Sequence, residues 1–208
     1  MKKSEIGKWL KKRKWDILIY GILALILFVP DIRMPIVSTV QRIFAFSPSE
    51  LPKNNQKSVQ VYDWDLMTLE GSPINLSQSK EKVVLINLWA TWCPPCVAEM
   101  PSLQKLYDEY KDRISFYFIS NEKPEQIQKF IDKKGYTFPV YIPISNYPID
   151  FDGNKLPTTY VISKKGKIII EETGAHDWFS KSLQKKIENL INEKINLKFK
   201  NIFKSRRK

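Results

Sequence analysis

At 208 residues the chain has room for one domain of ordinary size with short extensions, and with 43% hydrophobic and 27% charged residues it is neither disordered nor fibrous. Its formal charge of +12 is confined to the two ends: residues 1–14 hold seven bases against Glu5, residues 198–208 hold six bases and no acid, and the stretch between them carries 21 of each. A nucleic-acid domain carries its excess on the folded body, so no nucleic-acid partner is expected. Cys93, Cys96 and His176 fall short of the ligand set of a structural zinc site, so no metal is expected, and two cysteines are too few for a disulfide framework.

Residues 17–29 (ILIYGILALILFV) form 13 consecutive apolar or small residues. As a helix they rise ~20 Å against a hydrocarbon core of ~30 Å, so a membrane span has to extend over residues 15–37 with Arg33 snorkelling. A cleaved signal peptide has an apolar stretch of this length too, but the small residues Ala45-Phe46-Ser47 lie far beyond it and Pro48 follows them. No cysteine follows the stretch closely, which excludes a lipoprotein. The missing cleavage site favours an uncleaved transmembrane anchor over a signal peptide. The basic flank of residues 1–14 then stays cytoplasmic and everything after Pro30 faces the other side. Residues 38–58 read as a linker, polar and proline-bearing from 47 onward.

From residue 59 to 195 the pattern is that of a folded domain. Residues 59–65 and 73–76 form a predicted hairpin around Glu70-Gly71-Ser72. Residues 82–90 (KVVLINLWA) and 114–120 (ISFYFIS) are near-continuous apolar runs rich in β-branched and aromatic residues, as strands buried on both faces are. Helices are predicted over 94–110, kinked at Pro101, and over 124–134, stopped by Gly135. A hairpin over 159–162 and 167–173 precedes a last amphipathic helix over 180–195. The order β-β-β-α-β-α-β-β-α implies an α/β fold, a central mixed sheet with helices on both faces. The basic tail, residues 196–208, interleaves Phe199, Ile202 and Phe203 with charge; it either continues the last helix onto a membrane surface or is a frayed, solvated end.

Both cysteines lie in Trp92-Cys93-Pro94-Pro95-Cys96, at the junction of a buried strand and a helix. At the helix start, unpaired backbone N–H groups and the helix dipole favour an anion, which pulls a thiol from ~8.5 towards ~7. Two intervening residues place the second sulfur one turn on, within reach of a mixed disulfide on the first. Prolines are welcome in a first turn and stiffen it. A structural disulfide closing so short a loop contributes little, and half of a metal site shared between two chains is the other alternative. The pattern favours a redox dithiol.

These residues resemble a family, the membrane-anchored thioredoxin-like thiol-disulfide oxidoreductases of TlpA/ResA type. The resemblance rests on Asn87-Leu88-Trp89-Ala90-Thr91-Trp92-Cys93-Pro94-Pro95-Cys96, Glu99-Met100-Pro101 and Leu156-Pro157-Thr158-Thr159-Tyr160-Val161-Ile162. It implies a thioredoxin fold with an added N-terminal β-hairpin, preceded by one transmembrane helix, and no cofactor. It implies that Pro157 is a cis-proline packed beside the two sulfurs, and that Pro157 and Thr158 present backbone to substrate. Spacing alone fits Glu99 to an ordinary solvated helix face, whereas the resemblance implies a buried carboxyl that manages a proton at the cysteines. Cys93 is then the nucleophile and Cys96 the resolving thiol of a Cys93–Cys96 couple. Trp89 reads as core and Trp92 as a shield and substrate contact, together with Pro94 and Pro95. His176 reads as a loop or surface residue. Ala90 speaks against peroxide reduction, because the related peroxide-reducing family has Thr or Ser three residues before its cysteine. The implied activity is reduction of disulfides in exported proteins, apocytochrome c among them, with a transmembrane electron donor and a catalytic domain outside a bacterial cytoplasmic membrane. Two alternatives remain: a disulfide oxidant or isomerase of the same fold, and a tethered binding module with an inert disulfide.

Overall fold

A computed structural model describes residues 14–29, 36–41 and 45–193. Helix α1 (Lys14–Phe28) holds most of the apolar run in 15 residues. No helix among the described residues is long and apolar enough to cross a membrane. The expected span over 15–37 continues through residues 30–35, and the basic flank up to residue 13 and the tail from residue 194 likewise lie outside the described residues.

The body is a seven-stranded mixed sheet formed by β1 (Asp65–Thr68), β2 (Pro73–Asn75), β3 (Val84–Leu88), β4 (Ser115–Ile119), β5 (Val140–Pro143), β6 (Thr158–Ile162) and β7 (Ile168–Thr173) in the spatial order β2-β1-β5-β4-β3-β6-β7. Strands β3, β4 and β5 run parallel, and the remaining pairs are antiparallel. Helix α2 (Pro94–Tyr110) follows β3, α3 (Pro124–Lys134) follows β4, and α4 (Lys181–Asn192) closes the body. Gly135, at φ 70°, ends α3 in the left-handed conformation that glycine adopts without steric cost.

Several expectations are corrected. The first hairpin arm begins at Asp65, not at residue 59: Val59 N donates instead to Gly166 O (2.8 Å) in the turn before β7, and the Val59 and Trp64 side chains pack onto a sheet face. Strand β5 was not expected: only four residues long and ended by Pro143, it gains its order from lying between β4 and β1. Helix α2 runs unbroken through Pro101, and α4 closes at Asn192 with Glu193 as its cap.

The helices do not cover both faces. The buried residues of all three body helices, such as Met100, Leu103, Ile127, Ile131, Leu183 and Ile187, share one cluster with Leu85, Phe116, Phe118 and Val161. The crossovers β3-α2-β4 and β4-α3-β5 step in the same direction across the sheet, and right-handed connections then leave both helices on one side. The opposite face, with Val84, Ile86, Leu88, Tyr117 and Tyr160, is covered by Val59, Trp64, Leu76 and Phe151 from irregular segments and a 3-10 turn.

Residues 45–58, read as linker, are fastened to the β7 edge of the sheet. Leu51 N donates to Ile169 O (2.8 Å), Ile168 N to Lys57 O (2.9 Å) and Asp177 N to Phe46 O (2.9 Å). Ser49 donates through both N (2.9 Å) and Oγ (2.6 Å) to Glu172 Oε1. The strap thereby pairs an edge that would otherwise present open N–H and C=O groups.

Candidate active site

The apolar strand β3 ends at Leu88, and the chain turns through residues 89–92 into α2. Glu122 pins that turn: its carboxylate accepts from Thr91 N (2.6 Å), Thr91 Oγ1 (2.6 Å), Ser120 Oγ (3.1 Å) and Gln126 Nε2 (2.9 Å). Cys93 is the N-cap of α2, with extended backbone (φ −92°, ψ 106°), and its Sγ accepts from Cys96 N at 3.3 Å. That contact is the geometry the sequence implied, a sulfur set among the unpaired N–H groups of a helix start. Cys93 and Cys96 are joined as a disulfide with Cα atoms 5.3 Å apart.

Beside the disulfide lies a groove of about 720 Å³, lined by Trp89, Ala90, Trp92, Cys93, Pro94 and Pro95 around the turn into α2 and by Asn121, Glu122, Tyr147, Gly153, Asn154 and Leu156 from later segments. Trp92 is 64% exposed, whereas Trp89 is buried against Phe130 as expected of a core residue. Tyr147 Oη donates to Asn121 Oδ1 at 2.8 Å, and a Cβ on Gly153 would come within 2.9 Å of the Tyr147 ring. Glycine at 153 therefore lets the loop lie against that tyrosine.

The Leu156–Pro157 peptide is cis, and the antiparallel register Leu88↔Thr158 brings Pro157 to the end of β3 that leads into the cysteines. Neither Pro157 nor Thr158 lines the groove. Pro157 is buried with its carbonyl accepting from Gly174 N (3.0 Å), and Thr158 is buried with its hydroxyl donating to Lys155 O (2.9 Å). Leu156, just before the cis bond, is the residue of that motif that faces the groove.

Glu99 lies one helical turn beyond Cys96 and is only 1% exposed. Its carboxyl is held by three donors from two segments, β3 and the loop between β7 and α4: Asn87 Nδ2 donates to Oε1 (2.8 Å), Trp178 Nε1 to Oε2 (2.7 Å) and His176 N to Oε2 (3.4 Å). Burial pushes the carboxyl up to about 8, outweighing these three donors, each of which favours the charged form. A group with that value exchanges its proton near neutrality, as a general acid or base must.

Sequence reasoning missed the residues around Glu99. Asn87 had a visible signal, a polar residue in the middle of a buried apolar strand. Trp178 and His176 had none, being 79 and 77 residues away from Glu99 along the chain. His176 lies in a loop as expected, but half-buried, with its ring Nδ1 3.0 Å from Gly174 O and its backbone turned to the carboxyl.

A helix-capping dithiol couple on a mixed sheet, with a cis-proline and a buried carboxyl set about it, defines the chain as a thioredoxin-like thiol-disulfide oxidoreductase. Residues 58–170 match the AhpC/TSA family, and the chain belongs to that family. It is 36% identical over 137 residues to the thioredoxin-like protein YneN of Bacillus subtilis, covering 64% of this chain and 79% of that one. With the thiol-disulfide oxidoreductase ResA of Halalkalibacterium halodurans it shares 39% identity over 118 residues, 55% of this chain and 67% of the other. The crystal structure of a DsbF homologue from Corynebacterium diphtheriae aligns with a TM-score of 0.56 at 22% identity, covering 69% of this chain and 93% of that one, a likeness of fold.

Proposed function

We propose that this chain is a membrane-tethered thiol-disulfide oxidoreductase that reduces disulfides of exported proteins outside a bacterial cytoplasmic membrane, with apocytochrome c among its candidate substrates. The observation that carries the reading is the pairing of the Cys93–Cys96 couple with a buried carboxyl one turn away, poised near neutral pH. In the reduced protein the Cys93 thiolate attacks a substrate disulfide, forming a mixed disulfide and releasing one substrate sulfur. Cys96 gives its proton to Glu99 and attacks Cys93 Sγ; the Cys93–Cys96 bond forms and the second substrate sulfur leaves. Two electrons pass to the substrate, whose two sulfurs end as thiols. A dithiol donor spanning the membrane must then return two electrons to the protein.

Trp92, Pro94 and Pro95 form the near wall of the groove in this scheme, and substrate approaches the backbone at Leu156, next to Pro157 and Thr158. The absence of a hydroxyl at Ala90 supports disulfide rather than peroxide as the oxidant. Tethering is supported by α1, where Trp15, Leu18, Ile19, Tyr20, Ile22, Leu23 and Leu25 are all at least half exposed around the helix. A helix apolar all round needs an apolar surrounding. Residues 1–14 would be its cytoplasmic flank, 15–37 the anchor, 59–195 the catalytic domain and 196–208 a basic tail.

Redox equilibration of the full chain in detergent with glutathione and dithiothreitol tests this. A potential near ~−270 mV supports the reductase, a value near ~−120 mV makes the protein an oxidant or isomerase, and no reversible couple leaves a binding module with an inert disulfide.

A further inference from the structure

The carboxyl of Glu99 is not symmetric. Oε2 faces Trp178 Nε1 and His176 N, and neither an indole N–H nor a backbone N–H can accept a hydrogen bond. When Glu99 is neutral its proton therefore has one place to go, Oε1. That oxygen faces Asn87, whose Nδ2 donates both to Oε1 (2.8 Å) and to Thr159 Oγ1 (2.7 Å), while its Oδ1, fully buried, has no partner. An O–H on Oε1 would meet the NH2 of Asn87 donor to donor. Rotation of the amide by half a turn removes the conflict: Oδ1 then accepts from Glu99 Oε1–H and from the Thr159 hydroxyl, which can donate as readily as accept. In each charge state the end of the amide that faces Glu99 and Thr159 is fully paired.

We propose that Asn87 is a positioning residue for Glu99, its amide turning over with the charge of the carboxyl so that the proton is taken up and released at Oε1. The inference rests on the role given to Glu99 above, and it specifies which oxygen does the work. The elements packed on the carboxyl bring few titratable groups: Cys93 and Cys96 on α2 are held in the disulfide and carry no proton, and His176 from the loop before α4 turns its ring Nε2 to Glu172 Oε2 of β7 at 3.6 Å. Asn87 from β3, Thr159 from β6 and Trp178 are uncharged.

The test is side-chain amide NMR of the full chain in detergent micelles, disulfide-bonded and labelled with ¹⁵N-asparagine, titrated through neutral pH alongside the Trp178 indole. The Asn87 amide protons and the indole proton are expected to shift with one common midpoint. Glu99→Gln must keep its oxygen towards Trp178 and His176 and its NH2 towards Asn87, so it imitates the neutral acid. Its Asn87 signals should stay at the low-pH position of the wild type at every pH. Asn87 signals that remain fixed while the indole titrates, or that match the high-pH wild type in Glu99→Gln, overturn the proposal. The NMR readout is independent of turnover, so a dithiol that proves inactive sinks the functional reading without touching the amide, and the converse also holds.

Discussion

Cys93 opens α2 at the edge of a groove shared with the exposed ring of Trp92, whereas Glu99, six residues further along the same helix, is sealed beneath three donors from β3 and the loop before α4. The first region borders a groove: Cys93 is itself only 3% exposed but lines it, and the backbone N–H groups of the helix start favour negative charge on its sulfur once reduced. The second is built for exclusion, and the cost of a buried charge raises the carboxyl to about 8. One helix thus favours negative charge at its start and disfavours it a turn and a half later. In the proposed scheme the proton of Cys96 ends on that buried carboxyl.

Removing the groove-side sulfurs should have the largest effect. Cys93→Ser abolishes turnover of a protein disulfide, and Cys96→Ser leaves a mixed disulfide on Cys93, visible as an adduct by mass spectrometry of the intact chain. Next comes the sealed end: Glu99→Gln should slow thiol exchange about a hundredfold, the usual scale of one acid–base group, and flatten its dependence on pH. Rates unchanged across pH 6–9 would remove Glu99 from the scheme. The same substitution tests linkage. The folded carboxyl holds its proton up to about 8 and the unfolded one only to its ordinary value of 4.5, so between these values the folded state binds more protons. The stability this group contributes is full below the unfolded value and is lost as pH rises through the folded one. Urea unfolding should show wild-type stability falling across that window and Glu99→Gln lacking that part of the slope.

Trp178→Phe sharpens the contrast without removing the carboxyl. Loss of a donor that favours the charged form should move the midpoint of the exchange profile upward by about one unit, the scale of a hydrogen bond to a charged group. Gly153→Ala acts on the groove side alone. Crowding the Tyr147 ring should raise KM for a protein disulfide about two- to fivefold, the scale of ~1 kcal/mol or less, with little change towards a small aromatic disulfide.

Legibility in the sequence follows how local each feature is. The bounds of α2 and α3 were readable to the residue, since prolines at their starts and Gly135 at the end of α3 are signals within one turn. Strand β5 was not, because Val-Tyr-Ile-Pro is ordered by its neighbours on both sides. The strap over residues 45–58 has the composition of a linker and becomes structure only where the β7 edge offers it partners. At the site, the two cysteines and the helix start between them lie within four residues, and Cys93 is the cap that was expected. Thr158, by contrast, is buried with its hydroxyl on Lys155 O, and Leu156, half-buried before the cis-proline, is the residue of that motif that lines the groove.

The sequence by itself determined the redox couple, its place at a strand-to-helix junction and the apolar segment ahead of the domain, because dithiol spacing, helix capping and hydrophobic length are properties of contiguous residues. The tertiary structure alone decided that all three body helices share one face, that a strap closes the sheet edge, and that Glu99 is dry. Its burial is set by Asn87, twelve residues before it, and by His176 and Trp178, nearly eighty residues after it. A carboxyl's proton affinity depends on which groups replace water around it, and only the fold brings those groups together.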